Sequence, residues 1–181
     1  MKKHLFFALL VASCSATKVS KTEFAPNVDY GSYKTFDFYK LQASGDTISA
    51  NFKNSTELLQ NAIAAEMEKC GYTKSAVNPD MLVNIGVLVE EKIQTRQTDL
   101  RTDRPMYIGQ RNYKWESKEV ETGRYRLGTM TLDMVDAKKN TMLWTGVVED
   151  IFPEKIEKLQ TTVDKGVAEL FKRYPVAVKY V

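Results

Sequence analysis

Few residues in this sequence could carry nucleophilic or metal-dependent catalysis. The chain of 181 residues has one histidine, His4, and two cysteines, Cys14 and Cys70. Serine- and cysteine-based catalysis uses imidazole as the general base, and imidazole is also the commonest metal ligand. His4 lies in a stretch that we predict to be removed from the mature protein. The sequence therefore predicts no catalytic residues, no cofactor and no metal site.

Paired carboxylates are the remaining route to hydrolysis, and two pairs are available. They are Asp133 with Asp136, and Glu90 with Glu91. A glycosidase needs its two carboxylates about 5 to 10 Å apart on either side of a cleft. Residues one or three apart on a strand point to opposite faces, and Asp136 has the surroundings of a turn residue. A glycan hydrolase is therefore the weakest of the functional hypotheses.

The first 14 residues run from basic to apolar to small side chains. Met1-Lys2-Lys3-His4 is followed by an apolar run over residues 5–12 and then by Ser13 and Cys14. This order is typical of a secretory signal, and the apolar run is much shorter than the ~20 residues of a membrane span. Val11-Ala12-Ser13-Cys14 resembles a bacterial lipobox. In lipoproteins of that type the sulfur of the cysteine is diacylated, and the signal peptide is cut off immediately before that cysteine. We predict lipidation at Cys14, the alternative being an ordinary signal peptide with an incidental cysteine.

Removal of the predicted signal peptide changes the conclusions that follow from the net charge and from the two cysteines. Removal of residues 1–13 takes away Lys2 and Lys3, which leaves 24 basic residues against 23 acidic ones. Nucleic-acid binding, which uses a basic stripe, is not expected. If lipid occupies the sulfur of Cys14, Cys70 has no intramolecular partner. A buried, inert Cys70 is favoured over a reactive thiol.

Residues 92–126 mix basic and aromatic side chains in an irregular stretch. Arginine, tyrosine and tryptophan are enriched in binding hot spots. The candidate partner-binding residues are Arg104, Tyr107, Arg111, Tyr113 and Trp115. The alternative is that Trp115 and Tyr125 only cover the sheet while the charges are solvated. Residues 95–110 are predicted as a long loop or a projecting hairpin.

Alternating and helical apolar periods predict five strands and two helices. The predicted helices are residues 54–70, ended by a left-handed Gly71, and residues 153–174. Gly123 is predicted to form a tight turn. Trp144 is predicted to fill the space between sheet and helix. The predicted strands are residues 33–40, 81–89, 113–120, 125–134 and 142–149.

These elements predict an α+β fold, a two-layer sandwich in the order β-α-β-β-β-β-α. The first two strands, joined through a helix, should be parallel. The sheet should be mixed but mostly antiparallel, with about five strands. Both helices have one apolar face and should cover the same face of the sheet.

Several stretches of the sequence are informative when they are taken in order: residues 29–38, 79–83, 143–146, 154–156 and 171–175, and Arg126-Leu127-Gly128-Thr129-Met130-Thr131-Leu132-Asp133-Met134-Val135-Asp136-Ala137. Together they resemble the bacterial lipoprotein family known as the domain of unknown function numbered 4136. The resemblance implies an exported, membrane-tethered α/β domain and carries no catalytic residues. Many members have a glycine- and tyrosine-rich stretch where this chain has the charged residues 108–122.

The predicted organisation is a signal peptide (1–13), a lipidated tether (14–27) and one domain (28–181). We expect a non-catalytic, membrane-anchored envelope lipoprotein that acts as a binding or assembly module, with an envelope protein or glycan as partner. An accessory subunit of an envelope transport machine is the alternative. Ser15 in place of aspartate indicates the outer membrane. We expect the periplasmic face, with the cell surface as the alternative.

Overall fold

The computed structural model describes residues 17–39, 50–99, 101–103, 116–153 and 156–176, which form one open six-stranded sheet and two helices. This confirms the α+β class, with one strand more than the predicted count of about five. The helices are α1 (Ala50–Lys69) and α2 (Leu159–Phe171), and a 3-10 turn at Ile156–Lys158 leads into α2. The strands are β1 (Lys18–Phe24), β2 (Thr35–Phe38), β3 (Thr73–Lys74), β4 (Met81–Gln97), β5 (Glu119–Asp136) and β6 (Met142–Ile151).

The sheet is mixed, with the strand order β1-β6-β5-β4-β2-β3. Strand β2 pairs in parallel with both β3 and β4. The β4–β5, β5–β6 and β1–β6 pairs are antiparallel. Strand β2, helix α1 and strand β4 therefore form the predicted parallel crossover, and β4, β5 and β6 form the predicted antiparallel meander.

Strand β1 corrects the prediction that residues 14–27 are only a tether. It pairs along β6 from Lys18 opposite Glu149 to Phe24 opposite Trp144. Its residues are exposed except for Val19 and Thr22, which are half-buried. An edge strand with so little burial has no apolar period, so its sequence pattern resembles a linker. The folded domain therefore includes residue 18, ten residues before the predicted boundary at 28.

Strand β5 corrects the prediction of two strands separated by a turn at Gly123. Gly123 lies inside β5 opposite Gln94, next to a register shift between Gln94 and Thr95. A glycine inside a strand often marks such a bulge. The predicted strand at 113–120 begins only at Glu119, whereas β4 continues past 89 to Gln97. The described part of residues 95–110 thus belongs to a projecting hairpin.

The core lies on one face of the sheet. Met81 and Val83 of β4, Leu132 and Met134 of β5, and Trp144 of β6 are all buried in it. The same cluster contains buried residues from both helices, so both cover this face, as predicted. Those helix residues are Ile63, Met67, Val167, Leu170 and Phe171.

The end of α1 follows the sequence prediction closely. Gly71 has a positive φ of 93°, and the amides of Gly71 and Tyr72 donate to the carbonyls of Glu68 and Met67. This is the Schellman motif, which glycine favours. Cys70 beside it is buried as predicted.

Helix α2 begins later than predicted. The prediction placed Pro153 in the first helical turn, whereas α2 begins at Leu159. The reason is that the amide of Phe152 donates to the carbonyl of Arg126 at 2.8 Å. This bond holds the chain along β5 beyond the end of β6.

Candidate functional site

The apolar face of the sheet continues past the part that the helices cover. Along β4, Met81 and Val83 are buried and Ile85 is half-buried, whereas Val87 and Val89 are 53% and 41% exposed. Alternate residues of a strand share a face, so Val87 and Val89 extend the core stripe into a region without full cover. We call this end of the molecule the open end, and the end around Trp144 the closed end.

The helices and the sheet enclose an apolar cleft of about 470 Å³ at the open end. Its floor is formed by Val87 and Val89 of β4, and Leu59 of α1 and Val163 of α2 stand on its two sides. Small-molecule sites typically measure about 300 to 1,000 Å³ and are lined mainly by apolar side chains with a few polar groups. The apolar cleft has the size and the lining of such a site.

An aromatic ring, that of Phe152, lines one rim of the apolar cleft, and an arginine contacts this ring. A Cβ atom on Gly128 would lie 3.3 Å from Cδ2 of Phe152, so the absence of a side chain there lets the ring lie close to the sheet. The guanidinium of Arg126 stands 5.1 Å from the centroid of the Phe152 ring. This cation–π contact places a cation beside an apolar opening.

Asp150 contributes a carboxylate to the wall of the apolar cleft and also fixes the N-terminal chain there. The hydroxyl of Thr17 donates to Oδ2 of Asp150, while Oδ1 accepts from the backbone N–H of Ile151 at 2.7 Å. Hydroxyl groups of Thr129 and Thr162 also border the cleft. The described lining thus offers apolar contact and a few hydrogen-bonding groups, with Asp150 as its single carboxylate.

The residues predicted to bind a partner, Arg104, Tyr107, Arg111, Tyr113 and Trp115, lie outside the described part of the chain, as does Cys14. The arms that lead to this segment are described. Arg96 on β4 makes two hydrogen bonds to Asp103, at 2.7 and 2.6 Å, and these bonds hold the pKa of Asp103 well below its usual range.

The carboxylate pairs named in the sequence do not converge. Asp133 accepts from Thr145 on the face away from the helices. Asp136 is buried on the other face, where it accepts from Tyr33 Oη at 2.9 Å and from the amides of residues 138 and 139. The amide of Lys139 is the main cause that lowers the pKa of Asp136. Asp136 is thus the turn residue that the sequence predicted.

Glu90 and Glu91 are likewise separated, because they are neighbours on β4. The carboxylate of Glu90 lies 3.1 Å from Nζ of Lys92, and that of Glu91 lies 3.2 Å from Arg124. Both are exposed ion pairs, which contribute little to stability. Across residues 17–39, 50–99, 101–103, 116–153 and 156–176, no cluster of three or more acidic, cysteine or histidine residues could hold a metal ion.

The apolar cleft was not predicted from the sequence, although one signal for it was present. The alternation of β4 reaches Val89, but the apolar stripes of the two helices can cover only part of a strand that long. Because the apolar stripe of β4 is longer than the helix surface that can cover it, the sequence already indicated that some apolar surface of the sheet stays uncovered.

The fold and the cleft define a small α+β domain, and comparison with known proteins places it in a family. Residues 20–176 match the family described as "Domain of unknown function (DUF4136)", and the chain belongs to that family. No curated protein matches the chain.

The chain also matches solved structures, one of which shows a likeness of fold. The chain matches a PDZ domain protein from Parabacteroides distasonis ATCC 8503 with a TM-score of 0.54 and 18% identity. This match covers 92% of the chain but only 36% of the other protein, so the chain spans about a third of that protein's length. A PelC dodecamer from Paraburkholderia phytofirmans matches with a TM-score of 0.46 and 10% identity, over 85% of this chain and 94% of the other. Among the described residues, neither helix has the length and apolar character to cross a bilayer.

Proposed function

We propose that this protein is a non-catalytic, lipid-anchored binding module of the cell envelope and that the apolar cleft is its ligand site. The observation that carries the proposal is the cleft itself, an opening of about 470 Å³ between two helices and a sheet. A monomeric domain normally buries such a stripe, so an uncovered one marks a site of interaction. Its lining suits the apolar part of a ligand.

A fluorescent apolar probe tests the ligand site in the absence of a membrane. The unlipidated Cys14→Ser protein should bind N-phenyl-1-naphthylamine with an increase in fluorescence. Val89→Asp places a charge in the cleft, and because a buried unpaired charge costs at least a few kcal/mol, affinity should fall about tenfold or more.

The chain offers a matched control on the same strand. Leu88 is 56% exposed, but it points to the face opposite that of Val89. Leu88→Asp introduces the same charge one residue away and should leave probe binding unchanged. Equal loss in the two variants, or probe binding unaffected by Val89→Asp, would reject the cleft as the ligand site.

The anchor part of the proposal rests on Cys14. Two or three acyl chains on one residue hold a protein on a membrane, since each buried methylene contributes about 0.8 kcal/mol. The mature protein should partition into the detergent phase, and Cys14→Ala should release it or leave it unprocessed. We assign it to the periplasmic face of the outer membrane. Protease treatment of intact cells checks this, because loss of the domain from unbroken cells would place it on the surface instead.

The projecting hairpin favours a second candidate function, the binding of an envelope protein or glycan. Strands β4 and β5 continue as far as Gln97 and Glu119, beyond the last pair that β5 makes with β6, Leu127 with Ile151. The two paired strands therefore form an arm that projects beyond the neighbouring strand β6. Changing Arg111 and Trp115 together to Ala should remove partners from a cross-linking pull-down on intact envelopes. Unchanged partners would exclude Arg111 and Trp115 as the binding residues, and co-purification with an inner-membrane transporter would favour a role as a transport subunit.

A further inference from the structure

Strand β4 is paired along its whole length on one side but only briefly on the other. With β5 it pairs from Met81 to Gln97, whereas with β2 it pairs only from Met81 to Val83. In the part of the chain that the structure describes, no strand pairs with the β2 side of β4 beyond Val83. We call this side of residues 85–97 the free edge.

The backbone groups of alternate residues point outward along the free edge. The carbonyl of Val83 accepts from the amide of Tyr39 at the end of β2, at 2.9 Å, and that of Gln94 accepts from the hydroxyl of Thr122 on β5, at 3.1 Å. Odd-numbered residues of β4 thus direct their N–H and C=O groups away from β5, because the direction alternates along a strand. Such a row of backbone groups is a template for another strand.

The free edge lacks several features by which proteins prevent a further strand from pairing. It contains no proline, and β4 is a continuous strand from Met81 to Gln97. The extra residue of the bulge beside Gln94 is Thr122, on β5 and not on β4. Proline, bulges and short strands are common ways to block an edge. The free edge can therefore accept a straight strand along its length.

The charges of β4 are complementary to those of a second copy in the opposite direction. When two copies of β4 lie antiparallel about a two-fold axis at Ile93, Glu90 of each copy lies opposite Arg96 of the other. All four charged side chains are then on the face away from the helices, since residues an even number apart share a face. Ile93, which is 55% exposed in one copy, lies opposite itself. Opposite charges and aliphatic pairs across two strands are stabilising.

The neighbouring register is less favourable. An axis at Glu91 would place this carboxylate opposite itself, and like charges directly opposite each other are destabilising. The axis at Ile93 pairs residues 89–97 of each copy and leaves Val83, where β2 pairs, outside the shared stretch. Its outward-pointing residues would exchange roughly ten backbone hydrogen bonds. The axis at Ile93 therefore satisfies the free edge without a like-charge contact.

The ion pairs within one copy do not oppose this arrangement. Glu90 lies 3.1 Å from Nζ of Lys92, and both side chains are exposed, so their interaction contributes little. Arg96 lies 2.6 Å from Asp103, and a guanidinium has more N–H donors than one carboxylate uses. Glu90 can thus turn to the arginine of a second copy while Asp103 keeps its bonds.

We infer that two copies of this protein associate through the free edge, with β4 against β4 antiparallel about Ile93, so that the two sheets join into one. This inference goes beyond the proposed function and does not depend on a ligand in the apolar cleft. It assigns the free edge an occupant of known sequence. Gln97 of each copy would lie opposite Val89 of the other, at the border of the cleft.

Sedimentation equilibrium of the full-length, unlipidated Cys14→Ser protein tests the association. The average mass should rise with concentration toward twice that of one chain. Glu90→Arg places two arginines opposite each other in both symmetric pairs, and Arg96→Glu places two glutamates there. Each change should raise the dissociation constant by about tenfold or more.

The combination of the two changes is the matched control. Glu90→Arg with Arg96→Glu restores opposite charges across the axis and should restore association, which damage to the fold would not allow. A single-chain mass at every concentration, association unaffected by Glu90→Arg, or no recovery in the combined variant would each overturn the inference.

Disulfide formation between two different variants tests the register. Lys92 lies opposite Gln94 of the second copy, at a non-hydrogen-bonded position where Cα atoms are about 4.5 Å apart, within disulfide reach. In a Cys14→Ser and Cys70→Ala background, a mixture of Lys92→Cys and Gln94→Cys proteins should form covalent dimers under mild oxidation, and each protein alone far fewer. A mixture of Glu90→Cys and Lys92→Cys proteins is the control, because these positions face each other only about an axis at Glu91. Equal or greater cross-linking in the control would overturn the axis at Ile93.

The outcomes distinguish this inference from the proposed function. If N-phenyl-1-naphthylamine binds in the cleft of a protein that stays a single chain, the cleft remains a ligand site and the association is wrong. If the protein associates as described but the probe does not bind, the ligand site is rejected and the association stands. A single chain whose residue 94 cross-links to an extended segment of another envelope protein would overturn the second copy as the occupant of the free edge.

Discussion

The closed end and the open end of the sheet share one apolar stripe but differ in how the helices cover it. At the closed end, Phe171 and Tyr174 stand over Trp144, with ring centroids 6.3 and 5.2 Å away. Trp144 is completely buried there. At the open end, Val87 and Val89 have the same alternation but are about half exposed. The sheet therefore stabilises the fold at one end and leaves room for a ligand at the other.

Two glycines, one on the sheet and one on helix α2, show how differently the two ends are packed. A Cβ atom added to Gly146 at the closed end would lie 2.5 Å from Cη2 of Trp144 and 2.7 Å from Cδ1 of Leu170. One added to Gly166 of α2, beside the cleft, would meet Cγ1 of Val148 at 3.9 Å, an ordinary contact distance. Protein cores resist added volume because they are packed as densely as organic crystals. The same substitution should thus have opposite effects at the two ends.

The largest expected effect is at Trp144. Trp144→Ala removes the largest side chain that is fully buried among the described residues and should lower the free energy of unfolding by about 3 to 5 kcal/mol. Val89→Ala at the open end removes a half-exposed side chain and should have a far smaller effect. Urea denaturation of both variants checks the contrast. Comparable losses at the two positions would mean that the open end is packed like the core.

Gly146→Ala should have the next largest effect. The new methyl group cannot fit unless the indole of Trp144 and the side chain of Leu170 both move, and overpacking of this kind costs about 1 to 3 kcal/mol. The free energy of unfolding, again from urea denaturation, should fall accordingly. A neutral result would show that α2 can move away from the sheet even at the closed end.

The elements of this comparison were predictable from the sequence to different degrees. The burial of Trp144 and Cys70, the end of α1 at Gly71 and the alternation of β4 all came from strong local patterns. Strand β1 was missed because an exposed edge strand needs no apolar residues. The continuity of β5 was missed because a glycine in a bulge has the same sequence signal as one in a turn.

The cleft escaped prediction for a different reason. Periodicity shows which face of an element is apolar, but not how far a partner element covers that face. The late start of α2, at Leu159 instead of Pro153, depends on the bond from the amide of Phe152 to the carbonyl of Arg126. That bond joins residues far apart in sequence, and no local pattern contains it.

Acid should weaken the closed end through two carboxylates. The pKa of Asp80 is lowered mainly by the backbone N–H of Lys34, and that of Asp136 mainly by the backbone N–H of Lys139. A depressed pKa in the folded state adds stability that is fully present above the unfolded value of about 3.9. That stability is lost as the pH falls through the lower folded values. The melting temperature should therefore fall as the pH drops below about 4, and Asp136→Asn should reduce this dependence.

The smallest expected effect, and the one with the opposite sign, is at Gly166. A glycine in the interior of a helix costs about 0.5 to 1 kcal/mol relative to alanine because it loses more backbone entropy on folding. Since a methyl group at this position would meet only Val148 at an ordinary distance, Gly166→Ala should raise the free energy of unfolding by up to about that amount. The melting temperature, measured beside that of Gly146→Ala, should move in the opposite direction. If both variants lose stability, helix α2 lies as close to the sheet at the open end as at the closed end, and the cleft is narrower than the distance from Gly166 to Val148 indicates.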